Sequence, residues 1–234
     1  MEFSRGNLLN INSKELLIFD FDGTLIDSVP DLAMAVNDML THLEKETFSE
    51  DIIRSWVGNG AQTLVQRALE GNTDALQITQ TAEFVNALDI FLASYDKNIC
   101  EETKVYPHVI TTLTTLKQMD YTMAIVTNKP QKFIEPILES LQMESFFDYF
   151  IGGDALPEKK PHPTPLLHVC NIFGIDREDA VMVGDSKNDI LAAKAAGMHS
   201  IGVTYGYNYG ENIQDYKPDA TVDEFNEILD ILSK

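Results

Sequence analysis

The sequence predicts an α/β fold: a parallel sheet flanked by helices, interrupted by an all-helical insertion. Three observations carry this. From residue 105 to the end, short apolar runs alternate with helical patterns, the rhythm of strand–helix units in a parallel sheet. One more apolar run, residues 15–21, stands alone near the start. Between the two, residues 29–104 carry only helical spacing. The chain therefore divides into a core domain, 1–28 plus 105–234, and a helical domain, 29–104.

Residues 15–21 (ELLIFDF) form an apolar run ending in carboxylates and bounded by Gly23, which reads as a buried strand. Ser28-Val29-Pro30-Asp31 reads as a helix start. Ser28 can cap, Pro30 lacks only an N–H the first turn does not need, and Asp31 suits the positive dipole end. Leu32, Val36, Met39, Leu40 and Leu43 then recur at helical spacing. So do Ala61, Leu64, Val65, Ala68 and Leu69, and Phe84, Leu88, Phe91, Leu92 and Tyr95. Gly58-Asn59-Gly60 and Gly71-Asn72 punctuate them. Beyond Pro107, strands are expected at 122–127, 148–151, 180–183, 200–203 and 220–222. Helices are expected at 108–119, 130–141, 163–173, 187–196 and 223–232. In open α/β sheets ligands sit beyond the carboxyl ends of the strands. The helical insertion leaves from that end, so it is placed to act as a lid.

The chain has 234 residues, 44% apolar and 23% charged, enough to bury a core. With 17 Lys plus Arg against 37 Asp plus Glu, its formal charge is −20. That argues against nucleic acid and anionic membranes as partners, since affinity for both rests on basic residues. Cys100 and Cys170 are far apart, with no CxxC and no histidine at metal spacing, so neither a disulfide framework nor a zinc site is expected. The start of the chain shows no signal-peptide pattern, and no apolar run approaches the ~20 residues of a membrane span. A soluble cytoplasmic protein is expected, as a monomer or small homo-oligomer.

Four clusters fall after expected strands. Asp20-Phe21-Asp22-Gly23-Thr24 places two carboxylates on one side of a strand end. One can serve as nucleophile and the other as acid, while Gly23 and Thr24 offer backbone N–H groups to a phosphate. In Thr127-Asn128-Lys129, the hydroxyl and the amide can bind phosphoryl oxygens, although Thr and Asn are common at helix starts. In Lys159-Lys160, either lysine can clamp a phosphate or simply be solvated. Asp185 and Asp189 stand four apart at a strand–helix junction. They suit Mg²⁺, or equally a helix N-terminus decorated with acids.

The order acid pair, Thr, Lys, acid pair resembles the four motifs of the haloacid dehalogenase-like hydrolase superfamily. The strings VYPHV (105–109), TNKPQKF (127–133), KKPHPTPLL (159–167), VGDSKNDI (183–190), TYGYNYG (204–210) and WVGNGAQTLVQRAL (56–69) are similar to its phosphoglycolate phosphatase branch. The resemblance implies a Rossmann-like core with an inserted helical cap. It implies that Asp20 is a nucleophile forming an aspartyl-phosphate, and that Asp22 protonates the leaving alkoxide and later activates water. Thr127 and Lys160 would hold the phosphoryl group. Asp20, Asp185 and the Asp22 carbonyl would bind Mg²⁺, with Asp189 supporting the metal through water. Having an acid at Asp22 separates the chain from dehalogenases, which lack one, and from transport ATPases, which have Thr. Of the cap lysines, Lys45, Lys97 and Lys104, none lies in an apolar helical run as a phosphonatase Schiff base would need.

The implied substrate is a small phosphate monoester, 2-phosphoglycolate. Gly58-Asn59-Gly60 offers backbone N–H groups and an amide for a small carboxylate, flanked by Arg54 and Arg67. Trp56 reads as packing, and Tyr205, Tyr207 and Tyr209 as an aromatic loop on the core. The five histidines form no cluster. Alternatives are a β-phosphoglucomutase-like phosphomutase, a phosphatase for another sugar or nucleotide phosphate and, more remotely, a receiver-type signalling module. Lys129, Lys132, Lys159, Lys160 and Lys187 gather in or beside the motif loops, where Asp20, Asp22, Asp185 and Asp189 also converge, so a metal and a handful of lysines can admit an anion despite the overall charge.

Overall fold

The computed structural model describes residues 14–75 and 78–232. The expectation about residues 1–13 lies outside them. The elements run, in order, β1 (Leu16–Phe19), β2 (Ile26–Asp27), α1 (Val29–His42), α2 (Glu50–Arg54), α3 (Ala61–Glu70), α4 (Ala82–Lys97) and β3 (Lys104–Val105). Then come α5 (Val109–Gln118), β4 (Thr122–Val126), α6 (Ile134–Ser140), β5 (Tyr149–Ile151), α7 (Thr164–Phe173), β6 (Ala180–Gly184), α8 (Lys187–Ala196), β7 (His199–Val203), β8 (Ala220–Val222) and α9 (Ile228–Leu232).

Among the described residues, six strands form one sheet in the order β5-β4-β1-β6-β7-β8, every neighbouring pair parallel. The central β1 shows why an unbroken apolar run makes such a strand. Leu17 and Phe19 point to one face, packing with Met123, Ile125, Val181 and Val183. Leu16 and Ile18 point to the other, with Ala124, Val126, Ala180 and Met182. Helices cover both faces, so both sets are fully buried. The fold class agrees with the sequence.

β1 stops at Phe19, short of the expected residue 21. Phe21 donates its N–H to the Asp20 side chain at 2.7 Å, and Gly23 at φ +88° turns the chain. Residues 130–141 begin with a 3₁₀ turn, Gln131–Phe133, before α6, and 223–232 with another, Phe225–Glu227, before α9.

The chain leaves the sheet and returns to it side by side. β2 and β3 pair antiparallel, Ile26 with Val105 and Asp27 with Lys104. Two residues each are too few for a strand pattern, so the sequence does not show them. Asp31 strengthens this junction. It is buried in the first turn of α1 and accepts from Glu102 N and Thr103 N, both at 2.9 Å, and from Thr103 Oγ1 at 2.5 Å. It is thus more than an acid at a dipole end. Ser28 does not cap α1 with its side chain; its hydroxyl donates to Asp22 Oδ1 at 2.5 Å.

In the helical block, α4 buries Phe84, Ala87, Phe91 and Tyr95, while Leu88 and Leu92 are half-buried. Trp56 is buried edge-on to Phe48, with ring centroids 4.9 Å apart, in keeping with a packing role. The helical block and one face of the sheet share a continuous apolar cluster. No described helix is long and apolar enough to cross a membrane.

Candidate active site

The sheet register sets Phe19 of β1 opposite Ile125 of β4 and Val183 of β6. The loops that follow these strands, together with the one after β5, meet at one edge. Asp20 anchors there by donating its N–H to Val183 O at 2.9 Å, and Thr127 donates its N–H to Ile151 O at 3.1 Å.

Asp20 Oδ1 accepts from Phe21 N at 2.7 Å and faces Lys160 Nζ at 3.0 Å. Its other oxygen has no protein partner among the described residues. Lys160 Nζ also donates to Asp189 Oδ1 at 2.6 Å. Asp189 Oδ2 accepts from Ser186 N at 2.9 Å and Ser186 Oγ at 2.8 Å, closing a capping box on α8. Asp185 accepts from Thr24 Oγ1 and from Tyr207 N, each at 2.8 Å. Backbone presses close on this carboxylate. A Cβ at Gly23 would lie 2.3 Å from Asp185 Oδ2, and one at Gly206 2.1 Å from Asp185 Cβ.

Carboxylate oxygens of Asp20, Asp185 and Asp189 lie within 4.8 Å of one another, all buried. Against them stands one ammonium, Lys160. Burial pulls its pKa down, but Asp189 and Asp20 outweigh this and the net shift is upward. The acids carry the imbalance. Burial, then Asp189, push Asp20 well above the usual carboxylate range. The same causes push Asp185 up to about 7. Three buried carboxylates on hard oxygen donors, short of two positive charges, fit a divalent cation.

A test follows from linkage. An acid whose pKa is raised in the folded state stabilises the fold below its unfolded pKa. That contribution is lost as pH rises through the folded pKa. Cation-free protein is therefore expected to melt lower at about pH 8 than at about pH 5, by on the order of a few kcal/mol at this cluster. Added divalent cation should raise the melting temperature more at the higher pH, where protons no longer compete. Thermal melts after chelation, with and without magnesium, check both. An Asp185→Asn variant that kept the full pH slope would assign it to the general negative charge instead.

Asp22, two residues after Asp20, accepts from Ser28 Oγ at 2.5 Å and from Lys129 Nζ at 3.0 and 3.2 Å. A cavity of about 40 Å³ lies between the sheet edge and the helical block. Asp20, Asp22, Thr127, Asn128 and Lys129 line it from the core; Val57, Gly58, Gly60, Leu64, Phe91 and Tyr95 line it from the block.

Several expected contacts come out differently. Gly23 N donates to Ile26 O at 2.8 Å and Thr24 N to Phe21 O at 3.4 Å. Thr24 Oγ1 goes to Asp185, so these two residues build the turn and hold Asp185 rather than cradle a phosphate. Asn128 stands in the cavity wall, but its amide donates to Gly58 O at 3.0 Å and Lys160 O at 2.9 Å. Both amide hydrogens are spent, so this side chain clamps two loops together and has none for a phosphoryl oxygen. Its main-chain N–H has no acceptor among the described residues.

Gly58 and Gly60 reach the cavity, but Asn59 does not; its carbonyl accepts from Lys159 Nζ at 2.7 Å. Arg54 pairs with Asp27 at 2.9 Å and Glu50 at 2.8 Å. Arg67 is buried, donates to Trp56 O at 2.6 Å and stacks over Tyr209. Neither arginine lines the cavity. Of the other gathered lysines, Lys132 and Lys187 pair with Asp96 and Glu211, away from it.

Two features escape sequence reading. The aromatic loop is more than packing: Tyr207 holds Asp185 and donates from its hydroxyl to Asp27 at 2.8 Å, and Tyr209 OH accepts from Asn188 at 2.9 Å. Lys129 is buried on Asp22 and Tyr95. Its place beside Thr127 is the only hint, because the sequence does not say which of several loop lysines turns inward.

The family model for haloacid dehalogenase-like hydrolases matches residues 17–203. A phosphoglycolate phosphatase of Colwellia psychrerythraea is 49% identical over 221 residues, covering 94% of this chain and 98% of its own. One of Psychrobacter arcticus is 48% identical over 222 residues, covering 94% and 96%. The crystal structure of a predicted phosphoglycolate phosphatase from Haemophilus somnus aligns with a TM-score of 0.88 at 41% identity, covering 94% of this chain and 98% of that one. These likenesses favour neither the phosphomutase nor the receiver-type reading. The match runs from β1 through β7, across every strand that presents an acid of the cluster, and the chain belongs to the haloacid dehalogenase-like hydrolase family.

Proposed function

We propose that the protein is a magnesium-dependent phosphatase that hydrolyses 2-phosphoglycolate to glycolate through an aspartyl-phosphate on Asp20. Residues 29–104 act as its cap domain, over a core of residues 1–28 and 105–234. The observation that carries this reading is Asp20 itself. One of its oxygens is fixed by Lys160 and Phe21 N, the other is without a protein partner among the described residues, and the residue lines the cavity.

In the first half-reaction the free Asp20 oxygen bonds to phosphorus, the ester P–O bond breaks, and the leaving oxygen takes a proton from Asp22. In the second, Asp22 takes a proton from water, the water oxygen bonds to phosphorus, and the bond to Asp20 breaks to restore the carboxylate. Thr127 Oγ1 and Asn128 N–H donate to phosphoryl oxygens, and Lys160 offsets their charge while holding Asp20. Asp20, Asp185 and the Asp22 carbonyl, with Asp189 in support, would hold a magnesium ion, which would supply the remaining charge neutralisation.

The names of the relatives point to glycolate as the leaving group. The same reading makes the protein a cytoplasmic monomer or small homo-oligomer, acting on a small molecule and not on nucleic acid or membrane. Phosphate release from 2-phosphoglycolate, sugar phosphates and nucleoside monophosphates, with magnesium and with chelator, tests it. Release is expected chiefly from 2-phosphoglycolate, and only with a divalent cation. No release from any ester by folded, magnesium-loaded protein overturns the phosphatase. Preference for a larger ester overturns the substrate.

A further inference from the structure

We propose that Lys129, held in turn by Tyr95 of α4, is a positioning residue for the acid–base Asp22; this rests on the phosphatase reading above. Lys129 is buried, and its ammonium donates to Asp22 Oδ1 at 3.0 Å, Asp22 Oδ2 at 3.2 Å and Tyr95 OH at 2.8 Å. Both oxygens of the Asp22 carboxylate and the Tyr95 hydroxyl are thus held by this one ammonium.

A bland explanation is a buried ion pair kept for stability. Burying a charge pair costs about as much desolvation as it returns in attraction, and apolar replacements are often as stable. Stability alone therefore gives little reason to bury this lysine on the wall of the cavity. Its effect on chemistry is direct. As Asp22 gives its proton to the leaving oxygen it becomes a carboxylate, and the ammonium stabilises that charge as it forms.

Tyr95 makes the hold depend on the helical block. Its ring is buried, stacked on Phe91 with centroids 6.1 Å apart and edge-on to Phe133 at 4.8 Å. Burial pushes its pKa up to about 12, so the phenol keeps its proton. Its oxygen accepts from Lys129 across the junction between block and core. Lys129 is therefore fully held only where α4 lies against the loop after β4. Ser28, at the start of α1, supplies the second grip on Asp22.

The leaving group separates this role from a merely structural one. 2-Phosphoglycolate expels an alkoxide that needs a proton. Acetyl phosphate, of similar size, expels a carboxylate that does not. Because kcat/KM covers only the steps up to departure of the leaving group, it isolates the acid step. Lys129→Met is expected to lower kcat/KM for 2-phosphoglycolate by about 100-fold and for acetyl phosphate by less than about 3-fold. Tyr95→Phe, which keeps the ring and its stacking, is expected to lose roughly 5-fold on 2-phosphoglycolate and nothing on acetyl phosphate. Equal losses on both esters, or no loss on 2-phosphoglycolate, overturn the proposal. If Lys129→Met does not fold, the same ratio in Tyr95→Phe decides. Unmodified protein that cleaves neither ester overturns the 2-phosphoglycolate reading and this inference together. Turnover of both esters with parallel losses in the variants overturns only the inference.

Discussion

Asp20→Asn is expected to lower kcat by on the order of 10⁴-fold or more, the usual consequence of deleting a covalent nucleophile, while leaving the fold intact. Asn matches Asp in shape, and its carbonyl can still accept from Phe21 N and Lys160 Nζ, which bond Oδ1 now. What it lacks is a charged oxygen to attack phosphorus. The stability effect has a definite sign. Burial and Asp189 raise the pKa of Asp20, so in the folded, cation-free protein its charge is a liability. The variant should melt at the same temperature or higher without cation, and gain less from added magnesium. Phosphate release and thermal melts, each with and without magnesium, measure both. Near-normal turnover would remove Asp20 from the nucleophile's role.

Lys160→Met should damage both activity and stability. Lys160 is buried between Asp20 at 3.0 Å and Asp189 at 2.6 Å. Met fills similar volume but leaves the cluster with no positive charge from protein. Breaking a buried pair from one side costs roughly 3–5 kcal/mol, which in a chain of this size is on the order of 10 °C in melting temperature. The loss should be greatest at neutral pH and above, and shrink at acid pH, where the stranded acids take up protons. Turnover should fall by on the order of 10³-fold, from loss of both the hold on Asp20 and the charge on the phosphoryl group. Melting curves across pH, alongside phosphate release, check this. A uniform drop in melting temperature at every pH would mean that Lys160 acts through packing alone.

Much of the fold could be read from sequence because its signals are local. The strands are unbroken apolar runs, since both faces of the sheet are covered. α8 starts at a capping box and ends at Gly197 in the left-handed region, so its expected bounds coincide with Lys187–Ala196. Two-residue strands such as β2 and β3 have no pattern to read.

At the site, the strand-end position of the acid pair singles out Asp20 and Asp22, whereas Thr127, Lys160, Asp185 and Asp189 stay open on spacing alone and are singled out by the resemblance of the four clusters, in order, to the family's motifs. What side chains do with their hydrogens could not be singled out. Asn128 spends its amide on two carbonyls, Thr24 turns to Asp185, and Ser28 turns from its helix to Asp22. Lys129 meets Tyr95 from a helix 34 residues earlier in the chain. Such pairings exist only once separate segments have packed, and no local spacing encodes them.

The pairing of β2 with β3 limits how the helical block can swing. Two strands hydrogen-bonded side by side, with Asp31 pinned to Glu102 and Thr103 beside them, act like a strap hinge: they favour rotation about one line and resist sliding. Asp27 and Ser28 lie at that line, so the grip of Ser28 on Asp22 sits at the strap itself, whereas the grip of Tyr95 on Lys129 comes from the body of the helical block.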